Sequence, residues 1–210
     1  MDLLLIRHAL PHRVISDDGP ADPGLDAVGL RQADAVADWV GREHLDAVVS
    51  SPLRRAFETA RPLADRRGLP VQIDDGIAEW DRHSAEYIPV EELRASGHPL
   101  WEAMARGDWV SIGIDPEEFG RRVVASFDAI AAANPGRRVA VVCHGGVINA
   151  YASVVLDLPR MLFFEPGYTS ITRVTVGSSG RRLIRSLNET GHLRLAGLDD
   201  PAMAESPYGR

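Results

Sequence analysis

Two apolar runs constrain the fold of this chain more than any other feature. Asp2-Leu3-Leu4-Leu5-Ile6 and Arg138-Val139-Ala140-Val141-Val142-Cys143 are almost wholly apolar and short, the pattern of strands covered on both faces. Such strands belong to sheets layered by helices, and the chain between them supplies the helices. Leu30, Ala33, Val36, Ala37 and Val40 recur at helical spacing between a cap at Asp26 and a stop at Gly41, which predicts a helix over residues 27–40. Residues 46–50 read as a further buried strand. Ser51 as N-cap and Pro52 at the first helical position then start a helix that runs to about Arg67.

Val71–Ile73 begins another strand, and Phe119, Val123, Val124, Phe127 and Ile130 mark a helix that Pro135-Gly136 ends. Residues 146–156 continue as helix after the second apolar run. Residues 171–176 and 182–187 flank Gly177-Ser178-Ser179-Gly180 as a hairpin. From Glu79 to about Gly120, with Trp80, Trp101 and Trp109, the pattern is irregular and reads as a helical cap. The expectation is an α/β, single-domain three-layer sandwich. It has a mostly parallel central sheet, helices on both faces and a cap insertion over about 79–120. Residues 1–197 form the domain and 198–210 a mobile tail.

In open α/β sheets ligands bind beyond the carboxyl ends of the strands. Both apolar runs end directly in a histidine, His8 and His144, which makes one shared site geometrically reasonable. Composition narrows its chemistry. A formal net charge of −7 disfavours a general nucleic-acid binder. All 23 basic residues are arginine, which excludes Schiff-base chemistry and a Walker lysine but leaves bidentate phosphate clamps available. The lone Cys143 cannot form an internal disulfide and fits a reducing compartment. MDLLLIRH lacks the features of a signal peptide or membrane span, so a cytoplasmic protein with no membrane partner is expected. Edge strands near 171–187 permit a homodimer.

Arg7-His8 sets a guanidinium beside an imidazole that, when neutral, can attack phosphorus. Arg54 and Arg55 stand at the start of a helix, where the dipole disfavours cations. Glu58 one turn on answers for Arg54; Arg55 has Glu58 and Thr59 as candidates, with a bound phosphate as the better account. Gly145 and Gly146 let backbone N–H groups approach an anion. Glu79, among Ile77, Ala78 and Trp80, suits a proton donor with a raised pKa. Cys143 lacks the Cys-x5-Arg pattern of cysteine phosphatases, since Asn149 stands six residues on, and is read as a core residue. His12, His44, His83, His98 and His192 show no metal-ligand spacing, so neither metal nor cofactor is expected.

Taken together, LLLIRHA at the start, SSPLRRAFETA in the fifties, IAEW at 79 and VVCHGG near 144 resemble the histidine phosphatase, or phosphoglycerate-mutase-like, superfamily in content, order and spacing. The resemblance implies a phosphomonoester hydrolase acting on a small phosphorylated metabolite. His8 is then the nucleophile, Arg7, Arg55 and His144 the phosphoryl ligands, and Glu79 the acid and later base. Two departures stand out: Ala9 replaces the usual glycine, and Val14 stands where many members carry asparagine, a role for which Arg13 is the candidate replacement. Arg13, Gly145, His83 and Trp80 complete the predicted substrate contacts. Glu79-Trp80-Asp81-Arg82 differs from the Glu-Arg-x-Tyr-Gly of true mutases, which favours hydrolysis. A mutase-type isomerase and a non-catalytic binding module on the same fold are the rival readings.

Overall fold

In a computed structural model, which describes residues 1–198, the two apolar runs lie side by side in the middle of a six-stranded sheet. The strands are β1 (Asp2–Arg7), β2 (Val14–Ile15), β3 (Ala47–Ser50), β4 (Val71–Ile73), β5 (Glu86–Tyr87), β6 (Arg138–Cys143), β7 (Ile171–Val176) and β8 (Arg182–Glu189). The helices are α1 (Ala27–Val40), α2 (Arg54–Arg67), α3 (Val90–Ala95), α4 (Pro99–Arg106), α5 (Pro116–Ala133), α6 (Gly145–Val155) and α7 (Gly191–Leu195). The sheet order is β4-β3-β6-β1-β7-β8. The first four strands run parallel, and β7 and β8 are antiparallel to their neighbours.

The strand alternation explains why both runs had to be apolar throughout. Leu3, Leu5, Val139 and Val141 pack with Phe127, Val147 and Tyr151, whereas Leu4, Ile6, Ala140 and Val142 pack with Val36, Ala37 and Leu63. Each side chain finds a hydrophobic layer on its own face, at about 1.5–3 kcal/mol for each large side chain buried. β1 pairs with β6 in register from Asp2↔Arg138 to Arg7↔Cys143, so His8 and His144 leave the sheet at the same level. The ladder continues one step further, with His8 N donating to Cys143 O at 2.9 Å.

Asp26 caps α1 as expected, its carboxylate accepting from Gly29 N at 2.6 Å. The start of α2 departs from expectation. Ser51 does not cap it, and Pro52 precedes the helix; Leu53 is the N-cap, and Arg54 N donates instead to Asp22 Oδ1 at 2.9 Å. The irregular segment ends earlier than predicted, because Asp115 caps α5 by accepting from Glu117 N and Glu118 N. Within it, β5, α3 and α4 gather a small core of Leu93, Met104, Trp109 and Ile114. β5 pairs with β2 through Val14↔Tyr87, which ties this segment to the loop that follows His8. The mobile tail expected over 198–210 lies, beyond its first residue, outside the described residues. Among those residues no helix is long and apolar enough to cross a membrane.

Candidate active site

His8 leaves β1 into a buried position, and its Nδ1 lies 2.8 Å from the Ala9 carbonyl oxygen. A carbonyl only accepts, so Nδ1 carries the proton and Nε2 keeps a free lone pair. Burial, with the nearby charges of Arg55 and Arg7, pushes the His8 pKa well below the usual imidazole value. The ring is therefore neutral at ordinary pH. Ala9 is fully buried against Leu25 and Ala33, and its N–H donates to Thr59 Oγ1 at 2.9 Å.

Two arginines flank this ring, each seated on an aromatic face. The Arg7 guanidinium carbon lies 3.9 Å from the Tyr168 ring centroid, and Nη1 donates to Pro166 O at 2.6 Å. Arg55, 1% exposed, stacks on Tyr87 at 4.5 Å and donates from Nη2 to Asp81 Oδ1 at 2.8 Å. Asp81 thus replaces the partners expected for Arg55. Glu58 serves Arg54 at 2.7 Å, as predicted, and Thr59 donates to the Arg55 carbonyl rather than meeting its guanidinium.

His144 is the N-cap of α6, fully buried, with its ring centroid 5.1 Å from that of His8. Its Nε2 lies 2.7 Å from Ser51 Oγ, which also accepts from Leu53 N at 3.3 Å. A hydroxyl both donates and accepts, so Ser51 can serve Leu53 N and His144 Nε2 together in either ring tautomer. That bond is what occupies the hydroxyl expected to cap α2. Ser51→Ala would leave Nε2 buried and unpaired, at about 1–3 kcal/mol. The expected readout is a melting temperature lowered by several degrees, roughly 2–4 °C per kcal/mol for a chain of this size.

Glu79 lines the same cavity as His8. Its Oε2 accepts from Gly146 N at 2.8 Å and its Oε1 from Trp80 N at 3.1 Å. Burial, and then the charge of Asp81, raise its pKa to about 7 against the pull of those N–H groups and Arg55. A side chain at Gly146 would collide with this carboxyl, which gives the second glycine of the His144-Gly145-Gly146 turn its reason. Among the described residues Arg7 Nε, Arg55 Nε and His144 Nδ1 are buried without a hydrogen-bond partner.

A cavity of about 550 Å³ opens over Arg7, His8, Arg55 and Glu79, and Trp80, Gly145 and Asn149 also line it. Arg13 and His83, predicted as contacts, do not line it. Arg13 is half exposed and pairs with Glu92 at 3.3 Å, because the β2–β5 ladder directs this stretch to the outer side; His83 is exposed. Sequence reasoning missed Ser51, Asp81, Tyr87 and Tyr168 as parts of the site. Cys143 is fully buried in the core, and burial pushes its thiol pKa up. Among the described residues no group of three or more His, Cys, Asp or Glu side chains is placed to hold a metal ion.

The family model for the histidine phosphatase superfamily (branch 1) matches residues 3–190. A probable phosphoglycerate mutase from Yersinia enterocolitica is 30% identical over 193 residues, covering 87% of this chain and 89% of its own. A phosphoserine phosphatase from Entamoeba histolytica, solved with phosphoserine, superposes with a TM-score of 0.73 at 25% identity, covering 91% of this chain and 98% of the other. A mycobacterial glucosyl-3-phosphoglycerate phosphatase, solved with VO3, gives 0.72 at 25% identity over 90% and 99%. With the model spanning most of its length, the chain belongs to the histidine phosphatase superfamily.

Proposed function

We propose that this protein is a metal-independent phosphomonoester hydrolase that works through a phosphohistidine at His8. The observation that carries the proposal is a neutral His8 imidazole with a free Nε2 on the wall of a cavity that Arg7, Arg55 and Glu79 also line. A tetrahedral anion in that cavity would meet the guanidinium charges of Arg7 and Arg55 beside the attacking nitrogen.

In the first step Nε2 of His8 forms a bond to phosphorus while the ester P–O bond breaks, and the leaving oxygen takes the Glu79 proton. The cation that develops on the imidazole is steadied by the Nδ1–H bond to Ala9 O. Arg7, Arg55 and His144 hold the equatorial oxygens in positions set before substrate arrives. In the second step ionised Glu79 takes a proton from water, the water oxygen attacks phosphorus, and the P–N bond breaks to regenerate His8. Hydrolysis is favoured over isomerisation by the Glu79-Trp80-Asp81-Arg82 segment. With 3-phosphoglycerate, inorganic phosphate rather than an isomer is the product this reading expects.

Glu79 must be protonated for the first step, so kcat/KM for esters with poor leaving groups falls as pH rises through about 7. Burial and the charges of Arg55 and Arg7 lower the His8 pKa, so any acid limb from this ring lies at lower pH than that of a free imidazole. In Glu79→Gln this alkaline limb disappears at a much lower rate, while an activated aryl phosphate still phosphorylates the protein. An unchanged limb in that variant would assign the ionisation to another group.

The charge that a metal would neutralise is met here by two buried guanidinium groups, and activity is expected to survive a strong chelator. Loss of turnover in chelator, restored by a divalent ion, would overturn the metal-free reading. We read residues 1–197 as one catalytic domain and the protein as cytoplasmic, on the lone buried thiol of Cys143.

A further inference from the structure

We infer that the substrate's organic part is an apolar body, an aryl or extended alkyl group, held by the wall that α3, α4 and residues 160–166 build beyond the phosphoryl end. This rests on the phosphatase reading of His8 and adds what the rest of the cavity recognises. Leu93 of α3, Leu100, Trp101 and Met104 of α4, and Leu162 and Phe164 line the cavity. Leu93, Leu100, Trp101, Met104 and Leu162 belong to one hydrophobic cluster and Phe164 to a second, and Trp80, next to Glu79, packs against both.

The charges point the same way. Beyond Arg7 and Arg55, the lining cations are Arg94, already tied to Glu165 at 2.8 Å, and Arg160, which is exposed. Glu86 also lines the cavity, and Arg13 is its partner at 3.7 Å. A carboxylate or second phosphate on the organic part would find no buried cation waiting for it. Size agrees: about 550 Å³ lies within the ~300–1,000 Å³ range of pockets that enclose drug-sized molecules. A three-carbon phosphorylated acid would occupy the arginine end and leave the apolar wall wet.

A series of straight-chain alkyl phosphates tests this, because the leaving-group oxygen is nearly the same throughout and chain length alone changes. From ethyl to hexyl phosphate kcat/KM is expected to rise by up to about fourfold per methylene, the value of a buried CH₂. The matching alkylphosphonates, titrated calorimetrically into the His8→Ala protein, give the same slope in Kd without chemistry. Trp101→Ala should flatten the slope. Ala105→Trp, at an exposed α4 position on the cavity wall, should weaken hexylphosphonate more than ethylphosphonate with the fold retained. Level phosphonate affinities, or 3-phosphoglycerate turned over more efficiently than hexyl phosphate, would overturn the inference and leave the phosphatase reading standing. Rising phosphonate affinity with no hydrolysis of any ester would keep the apolar pocket and remove the phosphatase reading.

Discussion

The Arg55→Lys protein is expected to lose about 10²-fold in kcat/KM while remaining folded, the scale seen when one preorganised oxyanion donor is removed. Arg55 is 1% exposed, stacks on Tyr87 and reaches Asp81 with Nη2 while Nε stays free. A planar fork can hold a carboxylate and a phosphoryl oxygen together; an ammonium on a flexible stem offers neither the stacking face nor the second directed donor. The remaining charge keeps Asp81 paired, so the loss should fall mainly on the chemical step. Steady-state kinetics with an alkyl phosphate and with an activated aryl phosphate check this. Near-wild-type kinetics would remove Arg55 from the phosphoryl clamp, and exposed Arg54, tied to Glu58, could not take its place.

His8→Ala should be more severe. Removing a nucleophile costs on the order of 10⁵-fold or more, because the other groups lose the step they serve. Binding should persist, since Arg7, Arg55 and His144 are untouched, and inorganic phosphate should still protect the variant against heat. Loss of turnover with phosphate binding kept is the combination that separates a nucleophile from a structural histidine.

The layered sheet was legible because burial on both faces leaves a period-free apolar run, and both central strands and the His8 and His144 strand ends follow from it. The bounds of α1 and its Asp26 cap were legible, and Ala33, Val36, Ala37 and Val40 are buried as their spacing predicts, whereas Leu30, read into the same stripe, is exposed. Ser51 was misread for a physical reason: a serine before Pro52 satisfies the local capping rule, but its hydroxyl is committed to His144, a partner 93 positions away in the chain. Asp81 and Tyr87 carry no local pattern at all, and their role appears only once the chain folds back to place them against Arg55. The same holds for Tyr168 against Arg7. Arg13 looked like a substitute for a missing ligand because only its distance from His8 in sequence was visible. The two-residue strands β2 and β5, too short to show a period, turn it outward to Glu92.

The central claim is that phosphorus is bonded to His8 during turnover, and trapping that bond tests it most directly. Rapid quench of the Glu79→Gln protein with labelled aryl phosphate should accumulate one phosphate per chain. The linkage should be stable to alkali and lost in acid, as a phosphoramidate is, and should map to the peptide carrying His8. The His8→Ala protein should take up no label, while His144→Ala should label more slowly because only charge stabilisation is lost. Labelling of the His8→Ala protein at an undiminished rate, or a linkage stable to acid and cleaved by alkali, would contradict the account and remove His8 as the nucleophile.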